Sequence, residues 1–283
     1  MKAPDFRYTR PVTMAEALAL LGDEENEASP LAGGQSLVPM MNFRMAQPEI
    51  LVDLGALKEL RGIENADGGL RIGAMTRYAE LAASKLVSER APLVAMALPH
   101  IAHAAIRNRG TIGGSVALAD PAAEMPAVLQ ALDARIELVS ASGTRTVPAS
   151  EFFLGMYETA LEEGELVAAI LLGPVAAERR FGFHELARRH GDYAMAGVTA
   201  SATARPDGTF VDWRIAHFSV ADCAVRATGA EAALEGAKPT DAEALEAAKE
   251  ALSEIDFSAD LNASAKTKRH LAGVVMTRAL EGM

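Results

Sequence analysis

The sequence predicts a mixed α+β chain, in a larger first part and a smaller second part built round an antiparallel sheet. Three observations carry this. At 283 residues the chain is long for one core, so two or three subdomains are expected. Up to Leu172, strand-like and helix-like runs follow one another without the regular alternation of a doubly wound sheet. Beyond Gly173-Pro174, three strand-like runs come in a row, joined by the short connectors RRHGDYAM and RPDG. The boundary is expected within 174–179, dividing 1–176 from 177–283.

In chain order, Thr13-Met-Ala-Glu16 is a capping box that opens a helix to Leu21. Pro30 to Ala32 reads as a strand entering a glycine loop, and Ser36 to Asn42 as one or two helical turns leaving it. Ile50 to Asp53 and Gly69 to Ala74 read as strands. Thr76 to Lys85 and Ser88 to Ala105 read as helices, the second with Pro92 near its start, where proline is tolerated. A second, longer glycine loop follows, then a helical turn over Pro126 to Ala131. Ala134 to Ser140 and Thr144 to Val147 form a hairpin turned at Ser142-Gly143, and Glu165 to Leu172 is a buried strand. The three later strands are Arg180 to Arg188, Ala196 to Ala204 and Val211 to Val220. Thr240-Asp-Ala-Glu243 caps a helix to Ile255, and Ser264 to Leu280 is the last helix.

Hydrophobic residues make up 50% and charged residues 23%, as in an ordinary globular protein. The longest apolar run, Leu166 to Ala177, is too short to span a bilayer and is broken by Gly173-Pro174. MKAPDFRYTRP lacks the apolar core of a signal peptide, so a cytoplasmic protein is expected. A net charge of −11 repels nucleic acid and anionic lipid. The single cysteine, Cys223, excludes an internal disulfide and any cysteine-ligated cluster within the chain, and reads as an ordinary buried thiol. His100 and His103 could share a helical face, but no third ligand accompanies them.

Two small-residue loops remain, LAGGQSLVPM (Leu31 to Met40) and RNRGTIGGSVALADPAAEMP (Arg107 to Pro126). Amides in glycine-rich turns can converge on an anion, glycine permits close approach, and Ser36, Thr111 and Ser115 add hydroxyls. Two such loops suit a pyrophosphate; the alternative is a pair of tight turns without a ligand. The G-x-G-x-x-G and P-loop fingerprints are absent. Arg107 and Arg109 read as surface or inter-subunit residues in preference to phosphate ligands.

Together, AGGQS (Ala32 to Ser36), RNRGTIGGS (Arg107 to Ser115) and ADPAAE (Ala119 to Glu124) resemble the FAD-binding medium subunit of the molybdenum hydroxylases. That family includes bacterial carbon monoxide dehydrogenase, nicotinate- and xanthine-dehydrogenase-type enzymes and aldehyde oxidases. The resemblance runs almost end to end, through YTRPVTMAEALALL and RRHGDYAMAGV (Arg188 to Val198). It implies two α/β FAD-binding subdomains of the p-cresol methylhydroxylase/vanillyl-alcohol oxidase type, plus a C-terminal antiparallel three-stranded sheet with helices. The length resembles that of a free-standing subunit more than part of a fused polypeptide.

By the same resemblance, Ala32, Gly33, Gly34, Gln35, Ser36 and Leu37, with Thr111, Gly113, Gly114 and Ser115, hold the FAD pyrophosphate and ribityl chain. Ile101 is an apolar position against the cofactor, and Glu124 hydrogen-bonds it. Val167 gives main-chain contacts near the adenine, and Tyr193 lies beside the flavin ring. His184 stands where relatives often carry a lysine near the flavin; a histidine would favour reduced, anionic flavin only in part. Read as plain residues, Tyr193 could be a capped loop aromatic, Glu124 a loop acid or helix cap, and His184 a solvent-facing strand residue. The glycine placement also implies that Gly113→Val or Gly114→Val loses FAD without unfolding the chain.

The implied function is electron transfer. A molybdopterin-binding large subunit hydroxylates the substrate. Electrons then pass through [2Fe-2S] clusters in a small subunit to FAD in this chain, and on to an external acceptor. A dimer of heterotrimers is the implied assembly. A flavin-free assembly module and a self-sufficient flavin oxidase of the same fold are the alternatives.

Overall fold

The computed structural model describes every residue except Met1 and Glu24. The chain opens with β1 (Arg7–Thr9), α1 (Met14–Leu21), β2 (Ala28–Leu31), α2 (Leu37–Asn42) and β3 (Ile50–Asp53). The strands pair in parallel, in the order β1-β3-β2. Thr13 caps α1 as expected, its Oγ1 accepting the Glu16 amide at 3.3 Å. The reciprocal arm goes to the Val12 amide, not to Thr13, at 3.2 Å. Ala17 and Leu18 of α1 close a small core against Ile50, Val52 and Leu57.

The second unit begins with the hairpin β4 (Ile63–Ala66) and β5 (Gly69–Gly73). Five short helices follow: α3 (Tyr78–Ala83), α4 (Lys85–Arg90), α5 (Pro92–Ala97), α6 (Ala104–Arg107) and α7 (Ile112–Leu118). The single helix expected over Ser88 to Ala105 is therefore broken. Ala91 leaves the helical region at φ −137° because Pro92 disfavours an α conformation in the residue before it, and Pro92 becomes the first residue of a new helix. Ala102 then turns the chain with a positive φ of 44°. His100 accordingly lies in a turn and His103 is the extended residue that opens α6, so the two do not share a helical face.

Next come α8 (Glu124–Ala131), the hairpin β6 (Arg135–Ser140) and β7 (Gly143–Pro148), α9 (Ala149–Phe152), the short pair β8 (Phe153–Gly155) and β9 (Glu158–Thr159), and β10 (Leu166–Leu172). The main sheet of this unit is antiparallel, in the order β4-β5-β10-β6-β7. β10 is its central strand and is buried along most of its length, as its unbroken apolar run requires.

The last unit holds β11 (Arg179–Ala187), β12 (Ala194–Ala204), β13 (Phe210–Phe218) and β14 (Val225–Arg226), followed by α10 (Thr228–Leu234), α11 (Ala242–Ala251) and α12 (Ala265–Glu281). The sheet is antiparallel with four strands, not three, since β14 adds a short pairing to β13. α11 is capped by Asp241, not Thr240: its Oδ1 accepts the Ala244 amide at 3.0 Å. Trp213 anchors the unit, buried with its Nε1 donating to the Leu234 carbonyl at 3.0 Å.

α8 joins the second and third units. Residues 125–131 are buried all round, as expected of a helix apolar on every face. Hydroxyls of the C-terminal sheet reach its carbonyls: Thr199 Oγ1 donates to Ala127 at 3.0 Å and Ser201 Oγ to Ala131 at 2.6 Å. Gln130 returns a bond to the Ala224 carbonyl at 2.8 Å. One core continues from Leu70 through α8 to Phe218, so the third unit is packed on the second through apolar contact and paired polar groups.

Candidate functional site

A cleft of about 520 Å³ lies where the two glycine segments, β10 and the turn between β11 and β12 converge. All the predicted site residues line it except His184. The sequence separates these segments widely, and two contacts join them. An ideal Cβ at Gly33 would lie 2.3 Å from the Arg109 carbonyl oxygen, so the first loop sits directly on the backbone of the second. Arg77 pairs with Thr111 in an antiparallel bridge, and Tyr78 N donates to the Gly110 carbonyl at 3.0 Å.

The two loops are built differently. In the first, Gly34 has a φ of +71°, and the amides of Gly34, Gln35 and Ser36 donate to no acceptor among the described residues. Gln35 Nε2 holds the loop by donating to the Gly33 carbonyl at 3.1 Å. These amides form the kind of concavity that binds an anion. The second is not a loop through its glycines: Thr111 caps α7 by accepting the Gly114 amide at 3.2 Å. Gly113 N donates to the Ala74 carbonyl at 2.9 Å, and Ser115 N to the Thr111 carbonyl at 3.2 Å. These amides are spent within the protein.

The role of Gly113 follows from this. A Cβ there would lie 2.3 Å from the Ala74 Cβ, so the glycine serves close packing of α7 on β5 and its exit, not ligand approach. A Gly113→Val variant would disturb the fold, contrary to the expectation from sequence. At Gly114 a Cβ would meet Thr111 Oγ1 at 3.0 Å and Ala32 Cβ at 3.5 Å, in the gap between the two segments.

Glu124 opens α8 at the cleft wall, and burial raises its carboxyl to about 7, with Glu185 and Asp120 adding repulsion. Tyr193 is 67% exposed at the mouth, and its hydroxyl donates to Asp120 Oδ2 at 2.9 Å. Desolvation of the hydroxyl and the adjacent Asp120 both hold that phenol protonated well above its ordinary pKa. Ile101 and Val167 supply buried apolar wall.

His184 lies elsewhere. Side chains alternate along a strand, and on β11 Phe183 and Glu185 face His100 while His184 faces α12. The Phe183 and His100 rings lie 4.8 Å apart, and Glu185 Oε1 lies 3.2 Å from His100 Nδ1. His184 Nε2 lies 3.4 Å from Arg278 Nη1. Burial lifts Glu185 to about 7 and leaves its Oε2 without a partner among the described residues, while burial and then the Arg278 charge hold His184 below the ordinary histidine value.

Sequence reasoning passed over Tyr78 and Asp120. Tyr78 lines the cleft, is 4% exposed, and its hydroxyl has no hydrogen-bond partner among the described residues; Ser115 lies beside it without closing a well-formed bond. A buried hydroxyl without a partner in a cleft wall is free to bond whatever fills the cleft, a ligand or water. Asp120 lies in the ADPAAE motif, and its position there was the available signal. Arg107 is a structural residue, its Nη1 donating to the Ile101 and Ala102 carbonyls at 2.8 Å. Among the described residues no group of three metal-ligating side chains converges, and no helix is long and apolar enough to cross a membrane.

The cleft fits a flavin dinucleotide on the structure's own terms, with free amides for phosphate, apolar walls and an orphaned phenol. Comparison with known proteins agrees. Residues 4–174 match the family described as the FAD binding domain in molybdopterin dehydrogenase, and residues 181–283 match the CO dehydrogenase flavoprotein C-terminal domain. The chain is 41% identical to the carbon monoxide dehydrogenase medium chain of Hydrogenophaga pseudoflava, over 99% of this chain and 97% of that one. It is 37% identical to the 6-hydroxypseudooxynicotine dehydrogenase complex subunit alpha of Paenarthrobacter nicotinovorans, over 99% and 95%. Its structure superposes on quinoline 2-oxidoreductase from Pseudomonas putida 86 with a TM-score of 0.94 at 36% identity, covering 100% of this chain and 98% of that one. The chain belongs to the FAD-binding medium subunits of the molybdenum hydroxylases, an oxidoreductase family.

Proposed function

We propose that this chain is the FAD-carrying electron-transfer subunit of a molybdopterin hydroxylase complex, with a fold of the p-cresol methylhydroxylase type divided near residue 176. The observation that carries the reading is the cleft in which the unsatisfied amides of Gly34, Gln35 and Ser36 face the same space as Glu124, Tyr78 and Tyr193. FAD bound there would supply the redox chemistry, electron transfer between iron–sulfur clusters in a small subunit and an external acceptor. The chain's own residues bind and orient. The first-loop amides and the Ser36 and Ser115 hydroxyls hold the phosphates. Ile101 and Val167 exclude water with apolar surface, and Tyr193, tied to Asp120, covers the mouth. Glu124, near neutrality, is placed to hold or release a proton at its carboxyl. The single Cys223 leaves cluster ligation to the small subunit, and a molybdopterin-binding large subunit completes the heterotrimer, which pairs into a dimer in the cytoplasm.

The test is a visible absorption spectrum of the chain purified alone and co-expressed with its partners, followed by acid release of the chromophore. FAD released without covalent attachment is the expected result. A chain that stays colourless in both states, even after incubation with FAD, overturns the reading in favour of a flavin-free assembly module.

A further inference from the structure

On the far side of the first glycine loop lies a second recess, of about 400 Å³. Its lining holds four arginines, Arg10, Arg61, Arg77 and Arg109, against one acid, Asp53. This is a concentration of positive charge in a chain whose net charge is −11. Asp53 is already engaged. It accepts the hydroxyl of Tyr8 and the Gly55 amide, the latter at 2.7 Å, and lies 3.6 Å from Arg10. Arg61 donates to the Gly55 carbonyl at 3.1 Å. Arg77 and Arg109 have neither an ion pair nor a side-chain hydrogen bond among the described residues.

The backbone sets these two residues close together, both of them exposed. Arg77 pairs across to Thr111, and Ile112 N donates to the Thr76 carbonyl at 3.0 Å, which sets Arg77 beside the segment that carries Arg109. Arg109 is fixed in turn by the close seat of Gly33 on its carbonyl. Both guanidinium groups line the recess, where their positive charges favour an anion and their planar forks match phosphate oxygens.

We propose that this recess is a second anion site, taking the phosphate group of a small molecule between Arg77 and Arg109. It is separate from the flavin cleft, with which it shares the wall formed by Ala32 to Gln35, Met75 and Thr111. The inference rests on the recess and its charges, and stands whether or not the neighbouring cleft holds FAD. The ligand is either free phosphate or a phosphate ester, and a recess of about 400 Å³ is the size of a small solute.

The test is calorimetric titration of the FAD-loaded full chain with inorganic phosphate, inorganic pyrophosphate and a ribose monophosphate, at low and physiological salt. Saturable binding of one equivalent is expected, weakening with salt and at least tenfold weaker in Arg77→Ala/Arg109→Ala, with FAD content and melting temperature unchanged. Arg77→Lys/Arg109→Lys should fall between, since it keeps charge but loses the fork. Tighter binding of the ribose monophosphate identifies an ester ligand; equal binding identifies the free anion. Absence of saturation, equal affinity in the double alanine variant, or release of FAD by the titrant each overturns the proposal. Should the chain carry no FAD, the same titration is run on Gly114→Val: binding retained there and lost in the double alanine variant supports the arginine site, and the reverse overturns it.

Discussion

Tyr193 Oη donates to Asp120 Oδ2 at 2.9 Å, tying the turn between β11 and β12 to the segment that leads into α8 across the mouth of the cleft. The ring itself is largely exposed, so this bond is what fixes it. A hydrogen bond of this kind contributes about 1 kcal/mol. Tyr193→Phe should therefore weaken FAD binding by about fivefold, with little change in the melting temperature of the flavin-free chain. Equilibrium dialysis against FAD measures it; unchanged affinity would remove Tyr193 from the site.

The two adjacent glycines of α7 should behave differently. Gly113→Ala places a methyl group 2.3 Å from Ala74 Cβ and should cost about 1–3 kcal/mol of stability by overpacking. Gly114→Val projects into the gap beside Ala32 and should lower FAD occupancy while the urea midpoint of the flavin-free chain stays close to wild type. Comparable unfolding midpoints for both variants would contradict the packing assigned to Gly113.

Tyr78→Phe should move two quantities in opposite directions. Removing a buried hydroxyl that has no partner should stabilise the flavin-free chain by about 1 kcal/mol. The same change should weaken FAD binding if FAD takes the hydroxyl's bond, because the phenol lines the cleft without a partner. If stability rises and affinity does not fall, the hydroxyl faces nothing in the loaded state.

Glu185 gives a pH dependence. Burial raises its folded pKa to about 7, above the ordinary glutamate value, so between those two values the folded state binds more protons than the unfolded state. Its contribution is therefore fully present below pH 4.5 and is lost as pH rises through about 7. The groups facing it are His100, at 3.2 Å, and Glu124, whose charge opposes its own. Glu185→Gln should match wild type in urea midpoint near pH 4 and exceed it near pH 8. Parallel curves across that range would show the carboxyl to be solvated.

Sequence reading recovered what local chemistry decides. Ile50 to Asp53, the cap at Thr13 and the Ser142-Gly143 hairpin are encoded within a few residues, and the structure has them. It missed what packing decides. α7 runs through two glycines that disfavour helix by about 1 kcal/mol each, and forms because Thr111 caps it and Gly113 must pass close to Ala74. β1 and β4 bury no residue fully, so no apolar pattern announces them without the strands they pair with. The two glycine segments were legible as parts of one cleft because their motifs travel together, whereas lining residues such as Tyr78 and Ile106 lie outside those motifs. His184 was set beside the flavin by resemblance alone, and it does not line the cleft but faces Arg278 of α12; the Tyr78 hydroxyl is an orphan only in three dimensions.

The seat of Gly33 on the Arg109 carbonyl makes one backbone joint the hinge pin of two rooms. On one side the chain presents amides to the flavin cleft; on the other it aims guanidinium groups into the basic recess. Any side chain at position 33 would have to push Arg109 and Gly110 away, and would shift both linings at once. The two faces cannot be tuned independently through that position, so changes that adapt one cavity without disturbing the other must be made at residues that line only one of them, Glu124 or Tyr193 on the flavin side and Arg10 or Arg61 on the other.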